Sequence, residues 1–112
     1  MRYVDIKGTD IKASRIALGC MRIGNKSVEE VEELVRTALD LGINFFDHAD
    51  IYGAGASEKV FGEVLKRHPE WRKEMYIQSK CGIVPGVCYD FSQDHILKSV
   101  EQSLKNLNTD YL

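Results

Sequence analysis

Phe45-Phe46-Asp47-His48-Ala49-Asp50-Ile51-Tyr52-Gly53 is the stretch whose reading decides the fold. Ile43-Asn44-Phe45-Phe46 enters it as an apolar strand, and Asp47, His48, Asp50 and Tyr52 crowd the strand's exit and the loop behind it. Strand ends are rigid and the loops after them reach solvent, which is where α/β proteins build sites. A second run, Met75-Tyr76-Ile77-Gln78-Ser79, also reads as a strand and ends on Lys80. If the two strands lie parallel in one sheet, Asp47, Tyr52 and Lys80 emerge at the same edge. A carboxylate, a phenol and an ammonium would then share one pocket.

Outward from this stretch, strands alternate with helices. Before it, Ser27 with Glu30 forms a capping-box pattern, and Val28, Val31, Leu34, Val35, Ala38 and Leu39 recur at helical spacing up to Gly42. After it, Ser57 is expected to cap a helix with Val60, Phe61, Val64 and Leu65 inside, stopped near His68 by Pro69. Ser92 caps a third, whose buried face is expected to be Ile96, Leu97, Val100, Leu104 and Leu107. Tyr111-Leu112 begins what reads as another strand. At the N-terminus, two short strands flank Lys7-Gly8-Thr9-Asp10 as a hairpin over 1–13, and Arg15 to Gly19 is a brief buried strand. The connection from Cys81 to Phe91 is long, and long loops at strand exits are more often functional than structural. The order is a hairpin, then β-α-β-α-β-α-β over 14–112, which implies about four parallel strands and three helices.

A complete (β/α)₈ barrel takes about 250 residues, so 112 residues amount to less than half of one. An open, doubly wound domain is the alternative, and there the helices would divide between the two sheet faces.

Composition narrows the function classes. A net charge of −2 leaves no basic footprint for nucleic acid. No run approaches the roughly 18 to 20 apolar residues of a membrane span, and the first residues lack a signal core. Cys20, Cys81 and Cys88 are odd in number and form no Cys-x-x-Cys pair, which reads as reduced thiols in a cytoplasmic protein.

The three residues at the sheet edge suggest proton chemistry. An ammonium favours the deprotonated form of a nearby phenol, and a half-buried lysine needs an anionic partner. Asp47 would hold Lys80, and Lys80 would assist Tyr52 in giving a proton to a carbonyl oxygen. The plain structural alternative is a loop tyrosine beside an ordinary ion pair. Metal binding through Asp47, His48 and Asp50 competes for the same residues, although Lys80 would repel a cation. His48, His68 and His95 read as surface or capping histidines.

Phe46-Asp47-His48-Ala49-Asp50-Ile51-Tyr52-Gly53 resembles the Asp-x-Ala-x-x-Tyr-Gly signature of the aldo-keto reductases, and Ile77-Gln78-Ser79-Lys80 is similar to the strand of that family ending in its active-site lysine. Further likeness runs through Ser14 to Gly19, Ala38 to Asn44, Ser57-Glu58, Gly62-Glu63 and Ser99 to Leu104. The resemblance implies the N-terminal half of a (β/α)₈ barrel that reduces aldehydes and ketones with NADPH, NADH being the alternative. It places Asp47, Tyr52 and Lys80 in the catalytic set, and Gly19, Cys20, Met21 and Asp47 beside the nicotinamide. The family's histidine belongs at the end of the next strand, beyond Leu112, so the 112 residues alone are expected to turn over little. The implied partner is a small carbonyl substrate. A different expectation, non-enzymatic, is a half-barrel whose open strand edges drive self-association or pairing with another chain.

Overall fold

A computed structural model describes residues 1–112. β1 (Tyr3–Asp5) and β2 (Lys12–Ser14) pair antiparallel as the N-terminal hairpin. β3 (Leu18–Gly19), β4 (Phe45–Asp47) and β5 (Tyr76–Gln78) form a parallel sheet in that order. α1 (Val28–Asp40) joins β3 to β4, α2 (Ala56–Arg67) joins β4 to β5, and α3 (Gln93–Leu107) follows β5. α2 packs between α1 and α3. Helices in one row beside a parallel sheet are the arrangement of half a (β/α)₈ barrel rather than of a doubly wound sheet. No helix is long and apolar enough to cross a membrane.

The core lies between sheet and helices. Phe46 and Ile77 from the strands meet Val31, Val35 and Ala38 of α1 and Val60, Phe61, Val64 and Leu65 of α2. The strands are short, so most of the apolar area is supplied by helix stripes. α1 starts with both capping-box bonds, Glu30 N donating to Ser27 Oγ at 3.1 Å and Ser27 N to Glu30 Oε2 at 2.8 Å. Register is what positions the site: Gly19 sits opposite Asp47, and Asp47 opposite Gln78.

Five details depart from expectation. β3 is confined to Leu18–Gly19, and Arg15, Ile16 and Ala17, expected in a buried strand, are exposed. α2 is capped by Gly55, not Ser57, because Tyr52–Gly55 forms a tight 3₁₀ turn in which Gly55 adopts φ 92°. A left-handed Gly resets the chain direction, and Ser57 falls inside the first turn, wholly buried. α3 turns Ser99, Ser103 and Leu107 inward, leaving Ile96, Leu97 and Val100 exposed at 39%, 54% and 40%. Serines at i and i+4 let α3 approach α2 closely, and an apolar stripe of bulky side chains would hold the helices apart. Residues 81–91 contain a hairpin, β6 (Ile83–Val84) with β7 (Cys88–Tyr89). Tyr111 and Leu112 form no strand, so the parallel sheet has three members; Arg72 holds this end by donating to the carbonyl of Tyr111 at 2.7 Å while its guanidinium lies 3.5 Å over the Tyr111 ring.

Candidate active site

Asp47 is the last residue of β4, and Lys80 stands two residues beyond β5. The loops that follow are tied to each other through the backbone. His48 N donates to the carbonyl of Gln78 at 2.8 Å, and Asp50 N to that of Lys80 at 3.0 Å. These bonds extend the parallel ladder past the strands, so both side chains emerge from a braced edge. Lys80 Nζ donates to Asp47 Oδ1 at 2.6 Å and to the carbonyl of His48 at 2.6 Å. It also lies 5.1 Å from the centroid of the Tyr52 ring, within cation–π range. Tyr52 opens the 3₁₀ turn that leads into α2. Thus Asp47, Lys80 and Tyr52 come together, with Lys80 central.

The charges are settled by these contacts. Burial works against ionisation of Asp47, but hydrogen bonds from Lys80 and Gln78 outweigh it and hold its carboxyl below the ordinary aspartate range. Burial likewise disfavours the ammonium, and Asp47 with the neighbouring Tyr52 holds Lys80 above the ordinary lysine value. The pair is therefore ionic at neutral pH, acid and ammonium each fixing the other's position.

Gly19 and Met21 are exposed at the same edge, whereas the Cys20 side chain is wholly buried. Its thiol is pushed up to about 12, first by burial and then by the charge of Asp47. Cys20 therefore offers only backbone to a ligand, and its N–H is already bonded to the carbonyl of Asp47 at 2.8 Å. A Cβ built on Gly19 would meet nothing within 4 Å. Gly19 is the register partner of Asp47, so open space lies beside the Asp47 position.

The histidines divide. His68 is half-buried, stacked on Trp71 at 3.9 Å and bonded to Glu32 at 2.8 Å. His95 is half-buried near the start of α3, its Nε2 3.3 Å from Ser99 Oγ. His48, expected at the surface, is wholly buried, its ring edge-on to Phe61 at 4.5 Å. Alternation explains this: Asp47 faces the site, so the next side chain points to the helix layer. Burial pushes His48 down to about 4, which keeps it neutral. It is thus turned away from Asp47, and no three ligating side chains gather anywhere in the chain.

Two residues were missed. Gln78 donates from Nε2 to Asp47 Oδ1 at 2.6 Å, and the pairing of the two strands would have found it. Glu58 is wholly buried and accepts from Ser79 Oγ at 2.7 Å and from Asn106 Nδ2 at 3.2 Å. It ties the strand end before Lys80 to α2 and α3. A carboxylate early in an otherwise apolar helix face was the available signal.

Comparison with known proteins defines the class. The profile described as Aldo/keto reductase family matches residues 15–112. Oxidoreductase YdhF of Escherichia coli is 44% identical over 108 residues, covering 88% of this chain and 36% of the relative. The 6-dehydroglucose reductase of Novosphingobium aromaticivorans is 39% identical, covering 91% and 36% respectively. The holo form of aldo-keto reductase AKR11C1 from Bacillus halodurans superposes with a TM-score of 0.84 at 29% identity, covering 100% of this chain and 38% of that one. The chain belongs to the aldo/keto reductase family, and it spans little more than a third of the length of these curated relatives.

Proposed function

We propose that the protein carrying this chain reduces aldehydes or ketones to alcohols with NADPH, NADH being the alternative donor. The observation that carries this reading is the position of Lys80, 2.6 Å from Asp47 Oδ1 and 5.1 Å from the Tyr52 ring centroid. Gly19, Met21 and the Asp47 carboxylate would border the nicotinamide, which supplies a hydride to the carbonyl carbon when bound. Tyr52 Oη would give its proton to the carbonyl oxygen as negative charge grows there. Lys80 would stabilise the phenolate left behind, and Asp47 with Gln78 would keep Lys80 from turning toward solvent. General acid catalysis of this kind contributes about 10² to 10⁴ in rate. The substrate is a small carbonyl compound, and the setting is cytoplasmic.

The test is transfer of deuterium from 4-deuterated NADPH to an aldehyde. One labelled alcohol per nucleotide oxidised is expected. Absence of aldehyde-dependent oxidation in the full-length protein overturns the reading.

The exposed Ile96, Leu97 and Val100 on α3 favour a second reading for the 112 residues taken alone, self-association through open faces. Light scattering on the 112-residue chain decides it: a dimer or larger species supports it, and a monomer at all concentrations removes it.

A further inference from the structure

The hairpin after β5 has no part in the core, yet it carries large apolar side chains. Ile83, Val87, Tyr89 and Phe91 are exposed at 44%, 78%, 74% and 68%. Exposed aromatic residues on a short hairpin need an explanation, since such a surface is unfavourable in water. The hairpin is nonetheless well tied: Asp90 N donates to the carbonyl of Gly82 at 2.8 Å, and Val87 N to that of Val84 at 3.0 Å. Its root is close-packed. Gly82 has φ 121°, and a Cβ built there would stand 2.8 Å from Phe91 Cδ1 and 3.2 Å from Cζ. The Phe91 ring therefore rests on the bare backbone of Gly82, and this contact sets where the ring stands.

The hairpin overhangs a cavity of about 390 Å³ whose lining includes Tyr52 and Lys80. Ile51, Ile83, Tyr89 and Phe91 supply its apolar walls. Besides Tyr52, the lining offers Asp50, Lys80, the Cys81 thiol and the Tyr89 hydroxyl at the tip of an otherwise apolar ring, and Lys80 already donates to Asp47 and to the carbonyl of His48. A polyhydroxylated guest would find no partner for its hydroxyl groups along the Ile51, Ile83 and Phe91 faces and would gain little by covering them. A flat apolar guest would cover the aromatic faces, gaining from offset or edge-on ring contacts. The volume is at the small end of the range for small-molecule sites, suited to one ring with a short substituent.

The geometry points to a specificity element: the hairpin from Gly82 to Phe91 selects carbonyl compounds bearing an aryl group, held by Phe91 and Tyr89 with the carbonyl toward Tyr52. This rests on the carbonyl-reduction reading for its reaction, though not for its binding. Phe91 and Tyr89 act by holding the ring and take no part in the proton transfer.

The test has a binding arm and a turnover arm. In the binding arm, the full-length protein is titrated with benzyl alcohol or with glycerol while the methyl signals of Ile51 and Ile83 are followed by NMR. Benzyl alcohol is expected to shift both signals saturably and glycerol to leave them in place. Phe91→Ala should weaken benzyl alcohol binding at least fivefold, and Phe91→Leu, which keeps bulk without the ring, should fall between. Phe91 is largely exposed, so neither change threatens the fold. Equal shifts with glycerol, or unchanged affinity in Phe91→Ala, overturn the assignment. In the turnover arm, Phe91→Ala should lower kcat/KM for benzaldehyde at least fivefold relative to glyceraldehyde. An equal effect on both overturns the assignment while carbonyl reduction stands. If no aldehyde is reduced but benzyl alcohol binds as described, the reaction fails and the aryl site stands.

Discussion

Gly62→Ala puts the closeness of α2 and α3 to the test, and the sign of its effect is informative. Gly62 is buried in the middle of α2, where helix propensity alone favours alanine by about 1 kcal/mol. The packing says the opposite. A Cβ at this position would overlap the carbonyl oxygen of Asn106 and stand 2.9 Å from its carbon and 3.0 Å from the carbonyl carbon of Leu107. These are backbone atoms of α3, which cannot rotate aside, so the helices must separate. Overpacking of this kind costs about 1 to 3 kcal/mol, and contact with backbone places it at the upper end. Separation also strains the bond from Asn108 Nδ2 to the carbonyl of Gly62, now 3.0 Å, a loss of about 1 kcal/mol if it breaks. The net expectation is destabilisation by about 2 to 3 kcal/mol, or a fall in Tm of roughly 8 to 20 °C for a domain of this size. Urea denaturation of the wild type and the variant, followed by circular dichroism, measures it. A variant as stable as the wild type, or more stable, would refute the claim that α3 rests on the bare backbone of Gly62.

Three further outcomes are expected. His48 is held at about 4 in the fold against an ordinary value near 6.5, so the unfolded chain takes up the proton first as pH falls. Its contribution is complete above pH of about 6.5 and is lost as pH falls toward 4, amounting to about 3 kcal/mol; His48→Phe should flatten the stability profile between pH 4 and 6.5, and an unchanged slope there would contradict the burial. Lys80→Met should lower carbonyl reduction by about 10²-fold or more while changing urea stability by less than about 1 kcal/mol, because the pair is partly solvated; comparable loss of both would assign Lys80 to the fold alone. Cys20, its thiol pushed up to about 12, should resist iodoacetamide at pH 8 in the native protein while exposed Cys88 reacts, as peptide mass mapping would show; labelling of Cys20 at the rate of Cys88 would mean that its cover opens.

Much of this arrangement was legible in the residue order, for reasons specific to each element. α1 carries its start in Ser27 and Glu30 and its inner face in a single apolar stripe. The meeting of Asp47 and Lys80 was legible because one ends a strand, the other follows a strand's end by two residues, and parallel strands end at a common edge. The hairpin at 83–89 was harder, since its strands are two residues each, although Val84-Pro85-Gly86-Val87 is turn chemistry that could have revealed it. α3 offers two stripes, one bulky and one small, and periodicity alone favours the bulky one. The small stripe faces inward on a helix whose backbone at Asn106 and Leu107 lies close against Gly62 of α2, a fact about a partner helix and not about α3. His48 was misjudged by residue type, where strand alternation would have turned it inward. Gln78 required the register.

The central claim is that Tyr52, with Lys80 and Asp47 behind it, delivers a proton to a carbonyl oxygen. Its most direct test is Tyr52→Phe in the full-length protein, with aldehyde reduction and NADPH affinity measured on the same sample. A fall in turnover of about 10² to 10⁴ with nucleotide Kd unchanged within about threefold is predicted. Turnover equal to that of the wild type would contradict the account.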